Sequence, residues 1–295
     1  MINMTNKDTG ILLVGHGSRI PYNKNIIKKI REKYQEIMPD YNIEIGFMEL
    51  VEPNIPTAFN KLKETGVNKI IVNPVFLAHG MHTKVDIPTI LGLEPEVDLE
   101  KLHMHQHEHN HSHHHHHREA KSEPVDFDGE IIYLEPLGAD DKIVEIISNK
   151  INSKLEKDSQ DTGILLIGHG SNLPYNNEVI KTIAEKYIEN SGDYPIETGF
   201  MQLSKPSIPE AFNKLKEKDV KKVIALPIFL AHGIHTKLDI PTALGLNPQP
   251  IENYPVSNVS TSDVVEFDGE IIYLEPLGAD DKIVEIIQNR VNKYL

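Results

Sequence analysis

No cysteine occurs in the 295 residues. Disulfides, thiolate nucleophiles and cysteine-closed zinc sites are therefore excluded, and soft-metal chemistry must run through histidine, of which there are 16. No apolar run approaches the roughly 20 residues a membrane span needs, so no membrane partner is expected. Positive charge is scarce: 30 Lys and Arg stand against 44 Asp and Glu, a formal net charge of −14. Neutralising phosphates takes a basic face, so no nucleic-acid partner is expected either. An acidic small molecule remains compatible where local cations work against the overall field. The opening segment, Met1 to Thr9, is polar and lacks the apolar core of a signal peptide, which makes a cytoplasmic location the expectation.

What the chain does have is a repeat. Asp8-Thr-Gly-Ile-Leu-Leu-Val-Gly-His-Gly-Ser18 returns as Asp161-Thr-Gly-Ile-Leu-Leu-Ile-Gly-His-Gly-Ser171, and Phe76-Leu-Ala-His-Gly-Met-His-Thr-Lys84 returns as Phe229-Leu-Ala-His-Gly-Ile-His-Thr-Lys237, both at an offset of 153. Phe127 to Ile147 recurs unchanged as Phe267 to Ile287 at an offset of 140. The first copy thus carries the longer connection between its second and third repeated blocks, and a histidine run lies there. These spacings divide the chain into a first repeat over 1–157, with a His-rich insertion at 103–117, and a second over 158–295. Two homologous copies in one chain are expected to pack as an intramolecular pseudo-dimer, which leaves room for a further homodimer of whole chains.

Each copy reads as alternating strands and helices. Gly10 to Val14 is a short apolar run stopping at Gly15, as a buried parallel strand does. From Pro21 the spacing turns helical, with Ile26, Ile27, Ile30, Tyr34 and Ile37 on one face. Ile43 to Leu50 reads as the second strand, Pro56 to Glu64 as a helix closed by Gly66, Lys69 to Leu77 as the third strand and Glu130 to Leu134 as the fourth. Ala139 to Leu155 reads as the last helix, with Asp140 and Asp141 complementing its dipole. The fold class is therefore α/β: two tandem domains, each a four-stranded parallel sheet with helices on both faces. Pro74, repeated as Pro227, lacks the donor a central strand needs, so a local distortion is expected there.

In such sheets ligands bind beyond the carboxyl ends of the strands. Gly15-His16-Gly17-Ser18 follows the first strand, Glu49 and Glu52 fall near the end of the second, Leu77-Ala78-His79-Gly80-Met81-His82 follows the third, and Glu135-Pro136-Leu137-Gly138 the fourth. If the first and third strands are neighbours, His16 and His82 come within reach of one ion. A lone histidine is more often structural than a ligand. Here glycines flank His16 and so expose it, and both histidines recur as His169 and His235. Two imidazoles suit nickel, cobalt, iron or zinc and leave coordination positions open. His79 admits two readings, a lining or supporting residue or a bland loop residue. Gly-His-Gly-Ser alone also fits a phosphate turn, but the P-loop lysine is absent. The run from His103 to His117 holds ten histidines; it reads either as a solvated loop or as a metal-gathering tether.

Gly-His-Gly-Ser, the Met-Glu-Leu strand end and Phe-Leu-Ala-His-Gly-x-His-x-x-x-Asp-Ile-Pro together resemble the class II chelatases, in particular the archaeal sirohydrochlorin cobaltochelatase and nickelochelatase family, which carries a similar His-rich insertion. The resemblance spans essentially the whole chain, once per copy. It implies a flavodoxin-like chelatase fold with two units facing each other across a tetrapyrrole cleft. The activity it implies is insertion of Ni2+ or Co2+ into sirohydrochlorin with loss of two protons, for coenzyme F430 or cobalamin biosynthesis. The metal is then a substrate, and no permanently bound cofactor is expected. Carried over residue by residue, His16 and His82 are the metal ligands, matched by His169 and His235, with His16 and His169 as proton acceptors. Glu52 and Leu77, Ala78, His79, Gly80, Met81 and His82 would line the substrate, and so would Leu230, Ala231, His232, Gly233, Ile234 and His235. Lys84 and Lys237 are candidates for substrate carboxylates. In the second copy Glu49 becomes Gln202 and Glu52 becomes Lys205, so the first site is expected to be the more competent unless Lys205 instead holds a substrate carboxylate. Activity through neutral histidine is expected to decline as pH falls through roughly 6.5. The competing reading is a nickel or cobalt store or delivery protein acting through the His-rich run, and a histidine phosphotransferase is a further one.

Overall fold

The computed structural model describes residues 8–95, 124–156, 161–248, 250, 251, 257, 259, 260 and 263–295. The histidine run at 103–117 lies outside the described residues.

In the first half, β1 (Thr9–Gly15), β2 (Asn42–Phe47), β3 (Lys69–Pro74) and β4 (Glu130–Tyr133) form a sheet in the order β2-β1-β3-β4, all pairs parallel. Helices α1 (Pro21–Ile37) and α2 (Ile55–Lys63) make the first two crossovers, and α4 (Asp141–Asn152) follows β4. Between β3 and β4 a single π turn, His82–Asp86, runs into the short helix α3 (Ile87–Ile90). The second half repeats this with β5 (Thr162–Gly168), α5 (Pro174–Asn190), β6 (Ile196–Phe200), α6 (Ile208–Lys216), β7 (Lys222–Pro227), a π turn at His235–Asp239, α7 (Ile240–Ala243), β8 (Glu270–Tyr273) and α8 (Asp281–Val291), in the order β6-β5-β7-β8. Two parallel four-stranded sheets with helices on both faces are what the sequence pattern calls for. Among the described residues no helix is long and apolar enough to cross a membrane.

Every residue of β1 is buried, and its two faces serve different cores. Leu12 and Val14 pack with Phe59, Leu62, Ile87 and Ile90 under α2 and α3, and Leu165 and Ile167 do the same in the second half. Ile11 and Leu13 face the other way, into a core that holds residues of both halves. Ile27, Ile30, Ile143, Ile146 and Ile147 of the first half meet Ile180, Ile183, Ile283, Ile286 and Ile287 of the second there. Each such fully buried side chain contributes roughly 1.5–3 kcal/mol. Symmetric polar contacts set the register of this packing: Lys33 to Asp281 at 2.6 Å and Lys186 to Asp141 at 2.6 Å. These pairs are exposed and are worth at most about 1 kcal/mol each.

Two strand ends and one helical segment differ most from the sequence pattern. The second strand ends at Phe47, not at Leu50, because the chain turns back there: Phe47 N–H donates to Pro53 and Leu50 takes φ 65°. The third strand ends at Pro74, not at Leu77. The missing donor stops the ladder at its last pair, Val14 with Pro74, where one further bond from Val75 N–H to Val14 closes it. The helical segment from His82 to Ile90 has no counterpart in the expected elements. Its signal was Pro88, which sits in the first turn of α3, where proline is favoured.

Candidate active site

The order β2-β1-β3 makes β1 and β3 neighbours with crossovers leaving in opposite directions, so the switch point lies between their carboxyl ends. His16 stands just past β1 and His82 opens the π turn after β3. Their ring centroids are 4.9 Å apart at an interplanar angle of 80°.

Glycines make the first loop possible. A Cβ on Gly15 would lie 2.9 Å from Ile27 and 3.1 Å from Phe47. Gly17 has φ +89°, and a Cβ there would lie 1.9 Å from the carbonyl oxygen of Glu49. This close approach lets Glu49 N–H donate to His16 O at 3.1 Å, and it leaves the Glu49 carboxylate 3.6 Å from His16 Nδ1. His16 Nδ1 donates to Gly17 O at 2.7 Å. A carbonyl only accepts, so Nδ1 holds the proton and Nε2 keeps a lone pair. His82 is oriented in the same sense: Nδ1 donates to Asp86 Oδ2 at 2.7 Å, an i,i+4 contact across the π turn. A carboxylate behind a ligating imidazole fixes its tautomer and ring orientation. Two Nε2 lone pairs are thereby presented by one pair of rings.

His79 does not join them. Its Nε2 pairs with the Glu135 carboxylate and its Nδ1 lies 3.3 Å from Thr83 Oγ1, so both ring nitrogens are engaged by protein groups. Leu77, Ala78, Gly80 and Met81 form the partly exposed stretch between β3 and the π turn. Glu52 is exposed, and its carboxylate accepts from Asn54 N–H at 2.7 Å at the start of α2. The carboxylate beside His16 is Glu49.

The second half repeats the pair with rings 5.2 Å apart, His169 Nδ1 on Gly170 O at 2.7 Å and His235 Nδ1 on Asp239 at 2.7 Å. Ile234 precedes His235 as Met81 precedes His82, and Leu230, Ala231 and Gly233 repeat the partly exposed stretch. His232 repeats the His79 pairing with Glu275. The surroundings then diverge. Gln202 brings an amide, its Nε2 3.4 Å from His169 Nε2, in place of a carboxylate. Lys205 bonds Glu210 at 2.7 Å and, with Ser207 N–H, draws that carboxyl down to about 2. Burial lowers the His169 pKa below its ordinary 6.5, outweighing the bond to Gly170 O, and repulsion from His235 and His16 adds to the effect. The His16 contribution puts the two histidine pairs within electrostatic range of each other. Among the described residues no group of three or more His, Asp or Glu is arranged to hold a metal ion. Among the described residues, His16 with His82 and His169 with His235 are the paired imidazoles.

Several supporting residues escaped the sequence pattern. Asp86 and Asp239 were visible as the fifth position of His-x-x-x-Asp, and Glu135 and Glu275 as part of an unchanged block. Tyr22 and Tyr175 recur within Pro-Tyr-Asn at the same offset of 153, but that each acts on the opposite half is not written in the sequence. Tyr175 meets His79 at 6.0 Å between ring centroids, and Tyr22 meets His232 at 5.7 Å.

The sequence model of the CbiX family matches residues 10–154 and again 163–294. The sirohydrochlorin cobaltochelatase of Methanothermobacter thermautotrophicus is 49% identical over 133 residues, covering 45% of this chain and 92% of that protein. The sirohydrochlorin cobaltochelatase of Methanopyrus kandleri is 54% identical over 145 residues, covering 49% and 96%. Among solved structures, SirB from Bacillus subtilis with Fe3+ superposes with a TM-score of 0.66 at 20% identity, over 97% of this chain and 95% of that one. The sirohydrochlorin chelatase SirB from Bacillus subtilis subspecies spizizenii in complex with cobalt gives 0.60 at 18% identity, over 97% and 94%. These two likenesses concern the fold.

Proposed function

Since the chain belongs to the CbiX family through both of its halves, we propose that it is a sirohydrochlorin chelatase that inserts Co2+ into the macrocycle with loss of two pyrrole protons. The observation that carries this reading is the opposed pair His16 and His82, each with its Nδ1 proton tied to an oxygen and its Nε2 lone pair left to the site. Two neutral nitrogens hold a divalent ion while leaving positions for the pyrrole nitrogens that must replace them. As the ion passes to the macrocycle, His16 Nε2 becomes free to accept one pyrrole proton. Glu49, 3.6 Å from Nδ1, stabilises the imidazolium that results, and the second proton leaves to water. His82, held by Asp86, stays the positioned ligand. Lys84 and Lys237 supply positive charge for substrate carboxylates in an otherwise acidic protein. The shared core supports an intramolecular pseudo-dimer in which both half-sites face the bound tetrapyrrole.

Cobalt is the metal in the names of the relatives. Two imidazoles do not separate it from nickel, which stands beside it in the affinity order, so Ni2+ is proposed as a second substrate metal. The test is direct: purified chain, sirohydrochlorin and either ion, followed by the absorbance change on insertion. Insertion faster than without protein is expected with both ions. Rates equal to the protein-free background with each would overturn the assignment.

Asp86→Asn keeps the shape but replaces the anionic acceptor behind His82. The Co2+ concentration for half-maximal rate is expected to rise about 10–100-fold. An unchanged value in buffered Co2+ would remove Asp86 from the metal site.

Protonation separates the halves. An imidazole binds metal only when neutral, and burial holds His169 below 6.5. Its neutral form therefore persists to lower pH than that of an ordinary histidine. In a chain carrying His16→Ala and His82→Ala, the acid limb of the remaining insertion is expected to lie below pH 6.5. A limb at or above 6.5 in the rate profile would contradict the role given to His169.

A further inference from the structure

The two halves touch each other at the segments that carry the metal ligands, and the contacts are not equal. Tyr175 of the second half lies against the first half's His79, and Lys84 Nζ sits 6.0 Å over its ring. Residues 79 and 84 flank His82, so one tyrosine packs on both sides of the ligand turn. Behind that turn, His79 is paired with Glu135, and the 135–138 segment is hydrogen-bonded to the chain leading from β3: Leu137 N–H to Phe76 O and Gly138 N–H to Leu77 O, each 2.8 Å. Arg290 of the second half grips this segment from outside. Its guanidinium donates to Glu135 O and Leu137 O at 2.7 Å each, and to Pro136 O. The first half returns Tyr22 to His232 and Lys237, but at the place equivalent to Arg290 it carries Lys150. Lys150 acts on Glu275 as a point charge, whereas arginine offers a planar fork of donors that holds several carbonyls at once.

Resting on the chelatase reading above, we propose that the second half braces the first half's metal-binding turn through Tyr175 and Arg290, and that this unequal brace makes the first site the tighter one. Tyr175 and Arg290 are positioning residues: they reach the metal through the placement of His82. The second copy is then required by the first site even where its own histidines are removed.

The full-length chain carrying His169→Ala and His235→Ala isolates the first site, with Co2+ held by a metal buffer. If neither wild type nor this chain inserts cobalt above background, the chelatase reading fails and the brace fails with it. If both insert cobalt, Tyr175→Ala is expected to raise the half-saturating Co2+ about tenfold at nearly constant kcat. Arg290→Lys is expected to raise it several-fold, and Tyr175→Phe, which keeps the ring, to restore it. A purely structural role would instead lower kcat together with the melting temperature at unchanged half-saturation, and that outcome overturns the brace. In the reciprocal chain lacking His16 and His82, Lys150→Arg is expected to lower the half-saturating Co2+ of the second site; no change there refutes the inequality.

Discussion

His16→Ala combined with His169→Ala is expected to bring cobalt insertion down to the uncatalysed rate. Each histidine is the one member of its pair that lies beside a strand end and has its Nδ1 proton held by a backbone carbonyl, at 2.7 Å in both halves. Alanine removes a ligand nitrogen and the base in one step, and loss of a general base alone costs about 10²–10⁴ in rate. The single variants divide the work. Only His16 has a carboxylate 3.6 Å away to stabilise its protonated form, while His169 has the Gln202 amide and is held toward its neutral form by burial. His16→Ala is therefore expected to remove most of the turnover and His169→Ala a minor part. Insertion followed by absorbance for the three variants decides it. Two single variants that each halve the rate would show equivalent sites, and a double variant with wild-type rate would remove the histidines from the reaction.

Gly17→Ala is expected to be among the most damaging single substitutions in the chain. The new Cβ would meet a backbone oxygen, Glu49 O, at 1.9 Å, in a residue with φ +89°. No side-chain rotation relieves a clash with backbone. The His16 loop must separate from the chain that follows β2, breaking the bond from Glu49 N–H to His16 O and moving Glu49 away from the imidazole. Strain in the left-handed region plus this opening amounts to about 2–4 kcal/mol. Gly80→Ala is the control for stability, since a Cβ there meets nothing within 4 Å. Melting curves should separate the two variants clearly. Equal melting temperatures would mean that the Gly17 loop is not held in this conformation.

How much of this was legible depends on the range of the interaction. Gly10 to Val14 is readable as a strand because an apolar run ending at glycine is a local fact, and the pairing of His16 with His82 follows once β1 and β3 are neighbours. The resemblance puts Glu52 among the substrate-lining residues and gives Glu49 no separate role. The structure brings Glu49 to His16 and engages Glu52 at Asn54, since the path of the chain after Phe47 is set by the left-handed turn at Leu50, which no periodicity announces. The π turn at His82 was equally hidden, because its i→i+5 bonding gives a period longer than those by which helices and strands are recognised.

The residue order by itself determined the duplication, the alternation of strands and helices and the four histidines, because repetition, apolar spacing and glycine flanks are written within a few residues of each other. Tertiary structure alone decided that Glu49 stands beside His16 and that Tyr175 and Arg290 bear on the opposite half's turn. Those outcomes depend on hydrogen bonds and packing between groups far apart in the chain, such as the core shared by Ile143, Ile147, Ile283 and Ile287 of the two halves.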